Sequence, residues 1–316
     1  MMEAQVKIPA VSIVVPAYRV TAYIAETLDS IYRQTFSDYE VIVVNDGCPD
    51  TAALEQVLAR YQGRFIYIKK PNGGVSSARN SGLEAAHAPL VTQLDSDDAW
   101  EPRFLEETVG LLNGDPSITA VFTDGFYFGI PEMEGKKLSD HNGNPEPFTF
   151  ERVADNTCSL AYGYLARTEA VRRAGGYDDE IRSCEDFDLH LRLLKGGARI
   201  VRHPGLLFRY RRRPDSQSAS AIWMRSWAIR VADKIARRDD LTDSEREAVL
   251  RGRRTFEAEL ALAQGKESLA KGDIAEARRQ FARRQQIAPY PKMAALLWAL
   301  RIYPAGVRAF VRWRGL

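Results

Sequence analysis

The sequence predicts an α/β protein, with a mostly parallel β-sheet flanked by helices and an all-helical C-terminal extension. Three observations carry this. Short β-branched apolar runs alternate with helical periodicity across residues 10–100, which is the pattern of right-handed βαβ units. The first two runs are almost wholly apolar, as strands buried on both faces of a parallel sheet must be. From residue 222 onward the strand signal stops and apolar residues recur at helical spacing.

Val11-Ser12-Ile13-Val14-Val15 is the first strand, and Pro16-Ala17-Tyr18 ends it. Ile24, Leu28, Ile31 and Tyr32 mark a helix. The second strand, Glu40-Val41-Ile42-Val43-Val44, stops at Asn45-Asp46-Gly47. A helix carrying Leu54, Val57, Leu58 and Tyr61 leads to the strand Phe65-Ile66-Tyr67-Ile68. Pro71-Asn72-Gly73-Gly74 is a turn, and residues 76–86 form the helix that begins there. A fourth strand, Leu90 to Leu94, runs straight into Asp95-Ser96-Asp97-Asp98. Three strands thus end in polar loops, at Tyr18, at Asp46 and at Asp95–Asp98. Open α/β sheets bind ligands at such carboxyl ends.

Three carboxylates within four residues repel one another unless a cation sits among them. Mg²⁺ or Mn²⁺ takes one or two carboxylates and completes its shell with substrate phosphates. The cluster therefore reads as a metal clip for a nucleotide diphosphate. The competing reading is an acidic N-cap, with Asp98 starting a helix whose first turn holds Pro102.

At 316 residues, 45% hydrophobic and 27% charged, the chain is long enough for one large domain and a smaller one. Residues 250–316 hold 14 Lys and Arg against 5 Asp and Glu, while the other 249 residues hold 30 against 37. That basic end points to an anionic surface. No zinc-finger, RNP or helix-turn-helix signature accompanies it, so nucleic acid is not the expected partner. Cys48, Cys158 and Cys184 make neither a metal pair nor a disulfide framework, and a reducing cytoplasm fits them. No signal peptide is visible and no apolar run approaches the ~20 residues that span a bilayer.

Val11–Tyr18, Asp46, Asn72-Gly73-Gly74, Ala78-Arg79-Asn80-Ser81-Gly82 and Asp95-Ser96-Asp97-Asp98, in that order, resemble glycosyltransferase family 2. The resemblance covers about residues 10–220, and the ordered set is far more specific than any one member. It implies a GT-A fold, a nucleotide-diphosphate sugar as donor (UDP most often in the family) and a bound Mg²⁺ or Mn²⁺. Asp97 is then the first metal ligand, with Asp95 near the ribose and metal shell. Asp98 supports that shell or caps a helix. Pro16, Ala17, Tyr18, Asp46, Arg79, Asp95 and Ser96 grip the nucleotide, Asp46 by a base or ribose hydrogen bond and Arg79 at base or phosphate. Tyr18 as a packing aromatic and Asp46 as a turn residue before Gly47 stay open.

Ile118 to Phe122 is a further strand, and residues 129–147, rich in Gly, Pro and Asn, form a surface loop where the family varies beside the acceptor. Leu160–Leu165 and Gly175-Gly176-Tyr177 precede Glu185-Asp186-Phe187-Asp188, which opens a helix with Leu189, Leu191, Leu193 and Leu194. The macrodipole alone favours acids there. By the resemblance, this helix carries the catalytic base that deprotonates the acceptor hydroxyl: Asp186, with Glu185 as competitor. A single displacement makes the reaction inverting. Asp188 positions the helix or the acceptor. Arg213 stands where many relatives have a His; it cannot ligate a metal, but it can neutralise phosphate charge.

Beyond Ser218 the stripe Ile222, Trp223, Trp227, Val231 and Ile235 reads as one helix, and Thr242 with Glu245 is a capping box for the next. Gly265, Gly272, Ala277, Phe281 and Pro289 match one tetratricopeptide-like hairpin, short of the three or so copies such repeats need. Met293 to Trp313, with Arg301, Arg308 and Arg312, the adjoining Arg314, aromatic residues and no acid, suits a helix in a bilayer interface or one packed on protein. The expected organisation is a catalytic domain over residues 1–220 (nucleotide half about 10–100, acceptor half about 101–220) and a helical extension over 221–316. The expected protein is a cytoplasmic glycosyltransferase, peripheral on the inner face of the cytoplasmic membrane. It would act on a glycan or lipid-linked acceptor in cell-surface polysaccharide or glycolipid synthesis, with a homo-oligomer left open. The rival readings are a nucleotidyltransferase, whose Gly-rich basic loop after the first strand is missing at Pro16-Ala17-Tyr18-Arg19, and a non-catalytic sugar-nucleotide-binding scaffold.

Overall fold

The computed structural model describes residues 7–142, 146–160, 163–214, 216–304 and 306. The chain forms two compact units, Met1–Val153 with Cys158–Pro214 and Ala154–Thr157 with Asp215–Leu316.

In the first unit, β1 (Val11–Ala17), α1 (Ile24–Tyr32), β2 (Tyr39–Asp46), α2 (Thr51–Leu58), β3 (Ile66–Lys70), α3 (Val75–Ala85) and β4 (Leu90–Gln93) follow one another. They build the expected parallel half-sheet. Seven consecutive buried residues in β1 account for its almost wholly apolar sequence. The chain continues through β5 (Ala99–Trp100), α4 (Phe104–Gly114), β6 (Ala120–Phe128), α5 (Ser139–Asn142), α6 (Phe150–Ala154), β7 (Tyr164–Arg167), α7 (Thr168–Arg173), α8 (Glu185–Lys195) and β8 (Ile200–Arg211). The sheet order is β3-β2-β1-β4-β7-β6-β8-β5. Its pairs are parallel among β3, β2, β1 and β4 and between β6 and β8, and antiparallel where β7 and β5 join. Val11, Ile13 and Val15 of β1 share a core with Val41 and Val43, with Ile24, Leu28 and Ile31 of α1, and with Phe104 and Leu112 of α4.

Gly82 lets α3 lie this close to the sheet. A Cβ there would come within 2.2 Å of Val14 Cγ1, so the Ala78-to-Gly82 segment needs glycine at that contact.

Asp98 does not cap a helix. Ala99 and Trp100 pair with Arg209 and Phe208 as β5, and α4 begins only at Phe104 after Arg103, which makes no side-chain capping bond. The acidic cluster had suggested a cap, but tertiary strand pairing prevails there over a local helix-start signal.

The second unit holds α9 (Ala221–Ala236), α10 (Asp243–Lys271), α11 (Ile274–Ile287) and α12 (Pro291–Ile302). Trp227, Val231 and Ile235 of the α9 stripe are buried, while Trp223 is half exposed. The Thr242–Glu245 capping box is present at the start of α10. Gly272 ends α10 with φ +88°, a left-handed cap that favours glycine, and Asp273 accepts the Glu276 N–H to start α11. At Gly265 a Cβ would lie 2.4 Å from the Phe281 ring, which is how α10 and α11 close into a hairpin. Met293 and Leu300 of α12 join Leu269, Ala277 and Phe281 in the core of this unit. Arg308, Phe310, Arg312, Trp313 and Arg314, the far end of the expected interfacial helix, lie outside the described residues. No helix of the described residues is long and apolar enough to cross a membrane.

Candidate active site

Parallel pairing sets the carboxyl ends of β2, β1 and β4 side by side: Ala17 pairs with Asn45 and Val14 with Gln93. The loop after β4 is tied to the end of β1. Leu94 donates its N–H to Val14 O at 3.0 Å, and the buried Ser96 hydroxyl donates to the Pro16 carbonyl. Pro16 and Ser96 thus hold each other, and the alanine between Pro16 and Tyr18 is fully buried. Tyr18 is 40% exposed with the Arg19 guanidinium 5.3 Å from its ring centre, so its ring is not a core aromatic.

Asp46 is the last residue of β2 and only 2% exposed. Its carboxylate accepts Lys70 Nζ at 2.7 Å and the backbone N–H groups of Gly73 and Gly74 at 3.0 and 2.8 Å. Asn72 Nδ2 donates to its carbonyl at 2.9 Å. Asp46 therefore clamps the Pro71–Gly74 turn onto the end of β2, one residue before α3 begins.

Arg79 projects from α3, 8% exposed, between two carboxylates: Nη2 donates to Asp95 Oδ1 at 2.7 Å and Nη1 to Glu185 Oε1. Against the desolvation that burial imposes, Asp95 and Glu185 hold its pKa well above the ordinary arginine value. Both terminal nitrogens of Arg79 are taken, and they join the loop after β4 to the start of α8.

Glu185 and Asp186, adjacent in sequence, differ in setting. Glu185 is buried in its ion pair with Arg79, while Asp186 is exposed and accepts the Phe187 N–H at 2.7 Å. Lost hydration raises the Glu185 pKa, opposed by Arg79 and reinforced by Asp186 and Asp95. Asp188 is fully buried and ion-paired with Arg192 at 2.6 Å; Arg192 also donates to Ala174 O and Gly176 O. Of its two expected roles the partners leave positioning of α8, and a direct acceptor contact is withdrawn because the carboxylate has no open face.

Beside the cluster, Arg213 pairs with Asp97 at 2.8 Å, and Arg211 donates Nε to Asp97 O and its backbone N–H to Asp98 Oδ1, both at 2.7 Å. Tyr23 packs under both guanidiniums at 5.1 Å. Burial and then Asp95 raise the Asp97 pKa against the pull of Arg213. Burial and then Asp97 raise that of Asp98 well above the usual range.

Among the described residues no three His, Cys, Asp or Glu side chains gather as a metal-binding group. What is present is a pair of hard oxygen donors, Asp95 with 43% of its side chain exposed and Asp97 with 17%. That donor set fits Mg²⁺ or Mn²⁺ held by one or two carboxylates with phosphate and water completing the shell.

The sequence reading missed Lys70, Arg211 and Tyr177. The first two carry a signal. Lys70 follows the third apolar run, beside Asp46 in the β2–β3 register, and Arg209, Arg211 and Arg213 repeat with the strand period of two. Tyr177 stands 5.3 Å under Arg79 and donates to Gln93 Oε1 at 2.6 Å, a place that only the tertiary structure discloses.

The solved structures of similar shape include S. aureus TarS 1-349 in complex with UDP-GlcNAc. Its TM-score is 0.62 at 18% identity, covering 96% of this chain and 91% of that one. The mannosyltransferase PcManGT from Pyrobaculum calidifontis, in complex with GDP-Man and Mn²⁺, gives 0.60 at 19% identity over 97% and 87%. With its sheet and helices arranged in this way, the fold is of GT-A type. A family model described as "Glycosyl transferase family 2" matches residues 12–172, half of the chain. The uncharacterized glycosyltransferase EpsJ of Bacillus subtilis is 33% identical over 66% of this chain and 63% of its own length. The chondroitin synthase of Pasteurella multocida is 32% identical over 60% of this chain and 19% of its own. The chain belongs to glycosyltransferase family 2, and it spans less than two thirds of either relative.

Proposed function

We propose that this chain transfers a sugar, with inversion, from a nucleotide-diphosphate donor of the UDP-sugar class to a hydroxyl of a glycan or lipid-linked acceptor. One observation supports it most: Arg79 ties Asp95, beside Asp97, to the helix start where Asp186 alone is open. One region thus offers a two-carboxylate ligand set and a free general base. A bound Mg²⁺ or Mn²⁺ at Asp95 and Asp97 would supply Lewis-acid stabilisation of the leaving diphosphate. Tyr18 offers an exposed ring to the nucleotide, and Asp46 fixes the turn that borders it. Arg213, beside Asp97, brings a positive charge that can neutralise a phosphate. Asp186 takes the proton from the attacking hydroxyl. Glu185, neutralised by Arg79, is left as the group that holds α8 in register. The bound nucleotides of TarS and PcManGT belong to those proteins and favour a nucleotide sugar here by likeness of fold.

The test is calorimetric titration of UDP with and without Mn²⁺ on the wild type and on Asp97→Ala. Metal-dependent binding that Asp97→Ala abolishes is the expected result. If another nucleotide binds in place of UDP, the donor assignment falls, and no nucleotide binding at all removes the transferase reading.

A further inference from the structure

Helices α11 and α12 enclose a groove of about 550 Å³ whose lining includes Leu297, Trp298, Arg278, Arg279 and Arg301. Residues 274–302 contain six Lys and Arg against a single acid, Glu276, which pairs with Arg279. Along the outer face of α12, Ala294, Ala295, Trp298 and Ile302 recur at helical spacing, and Tyr303 follows. Trp298 is 68% exposed, Ile302 59% and Tyr303 68%, although Met293 and Leu300 on the opposite side are buried. A helix of a soluble protein ordinarily turns such residues inward.

From this we infer a binding surface for an anionic phospholipid bilayer. Trp298, Ile302 and Tyr303 would enter the headgroup boundary, where an aromatic ring with a polar edge is favoured. Arg278, Arg279 and Arg301 would meet lipid phosphates around the groove. Two features favour a bilayer over an acidic peptide. The exposed apolar residues form a stripe that continues past the groove to the end of the helix, and Arg278, Arg279 and Arg301 line an open groove beside that stripe. Charge complementarity selects anionic over neutral lipid, since each basic side chain near such a surface contributes about fivefold in affinity.

The proposal concerns the second unit and needs no sugar transfer, so its test stands apart from that of the donor site. The full chain is sedimented with large vesicles of phosphatidylcholine alone and of phosphatidylcholine with phosphatidylglycerol. Two variants are compared: Arg278→Ala/Arg279→Ala/Arg301→Ala and Trp298→Ala. All four side chains are exposed, and circular dichroism melts verify that both variants fold. Binding to the anionic vesicles only, weakened about a hundredfold in the triple variant and clearly reduced in Trp298→Ala, is the expected result. Equal binding to both vesicle types overturns the proposal, as does full binding by the triple variant. So does an absence of vesicle binding, and binding of inorganic phosphate or polyglutamate in that case would make the groove an anion or acidic-peptide site.

Discussion

Asp186 and Glu185 share a helix start and a charge, and what separates them is the company each keeps. A base must be open to the acceptor and free of a permanent counter-ion; Glu185 fails on both counts through its pair with Arg79. Asp186→Asn should lower kcat by about 10²- to 10⁴-fold with UDP affinity unchanged. Steady-state kinetics beside nucleotide titration reads this. An active Asp186→Asn with an inactive Glu185→Gln would reverse the assignment. His190, five residues on, offers a cleaner physical test. It lies buried with its ring edge-on to Phe122 at 4.9 Å, and burial, with Arg79 and Arg192 adding, depresses its pKa to about 3. Because the folded value lies below the unfolded one near 6.5, its contribution to stability is full above pH 6.5 and is lost as the pH falls toward 3. Between pH 7 and pH 5 that loss is about 2 kcal/mol. Urea unfolding at the two pH values should show it in the wild type and not in His190→Gln. Equal pH dependence in both would show that His190 takes up its proton as readily in the native state as in the unfolded chain.

At the scale of elements, two glycines set how closely helices approach their neighbours. Gly82→Ala would push a methyl to 2.2 Å from Val14 Cγ1, with β1 fully buried behind it. Gly265→Ala would do the same to the buried Phe281 ring. Each should destabilise its unit by about 1–3 kcal/mol, the usual range for overpacking, and Thr242→Ala should cost about 1 kcal/mol through the lost cap. Denaturant melts check all three, and a neutral Gly82→Ala would mean that α3 can shift off the sheet. The elements that were legible in sequence are those whose burial writes a period. Val11–Val15 and Val41–Val44 are buried on both faces, and the Thr242 box and the Gly265–Phe281 pair carry local chemistry. The strands that escaped are those made by distant partners. Ala99–Trp100 is a two-residue strand only because β8 lies beside it, and β8 itself runs through Pro204 and Gly205, where β6 shifts register. The site follows the same rule. Asp95, Asp97 and Asp186 announce themselves by spacing, but the Arg79 bridge joins residues 106 positions apart. The Asp46 clamp depends on a turn 27 residues downstream.

The whole molecule divides its charge, with an acidic excess over the first 249 residues and a basic excess after them. Each unit also has its own core, with Val11 to Phe208 in one and Leu269 to Leu300 in the other. Every residue proposed for the donor belongs to the first unit. A ligand that binds only folded protein adds about 2.7 kcal/mol at a hundred times its Kd. For a unit of roughly 200 residues, each kcal/mol moves Tm by about 2–4 °C. UDP with Mn²⁺ should therefore raise the melting of the α/β unit by about 5–10 °C at that saturation. UDP alone should do much less, since the carboxylate pair and the diphosphate repel each other without a cation between them. Asp97→Ala should remove the metal-dependent increment yet leave the unliganded Tm nearly in place, because the ion pair it loses with Arg213 is offset by relief of its repulsion with Asp95 and Asp98. Scanning calorimetry of the full chain reads all of this at once. A nucleotide shift that survives Asp97→Ala would move the metal away from the loop after β4. A shift in the melting of the helical unit instead would put the nucleotide outside the α/β unit altogether.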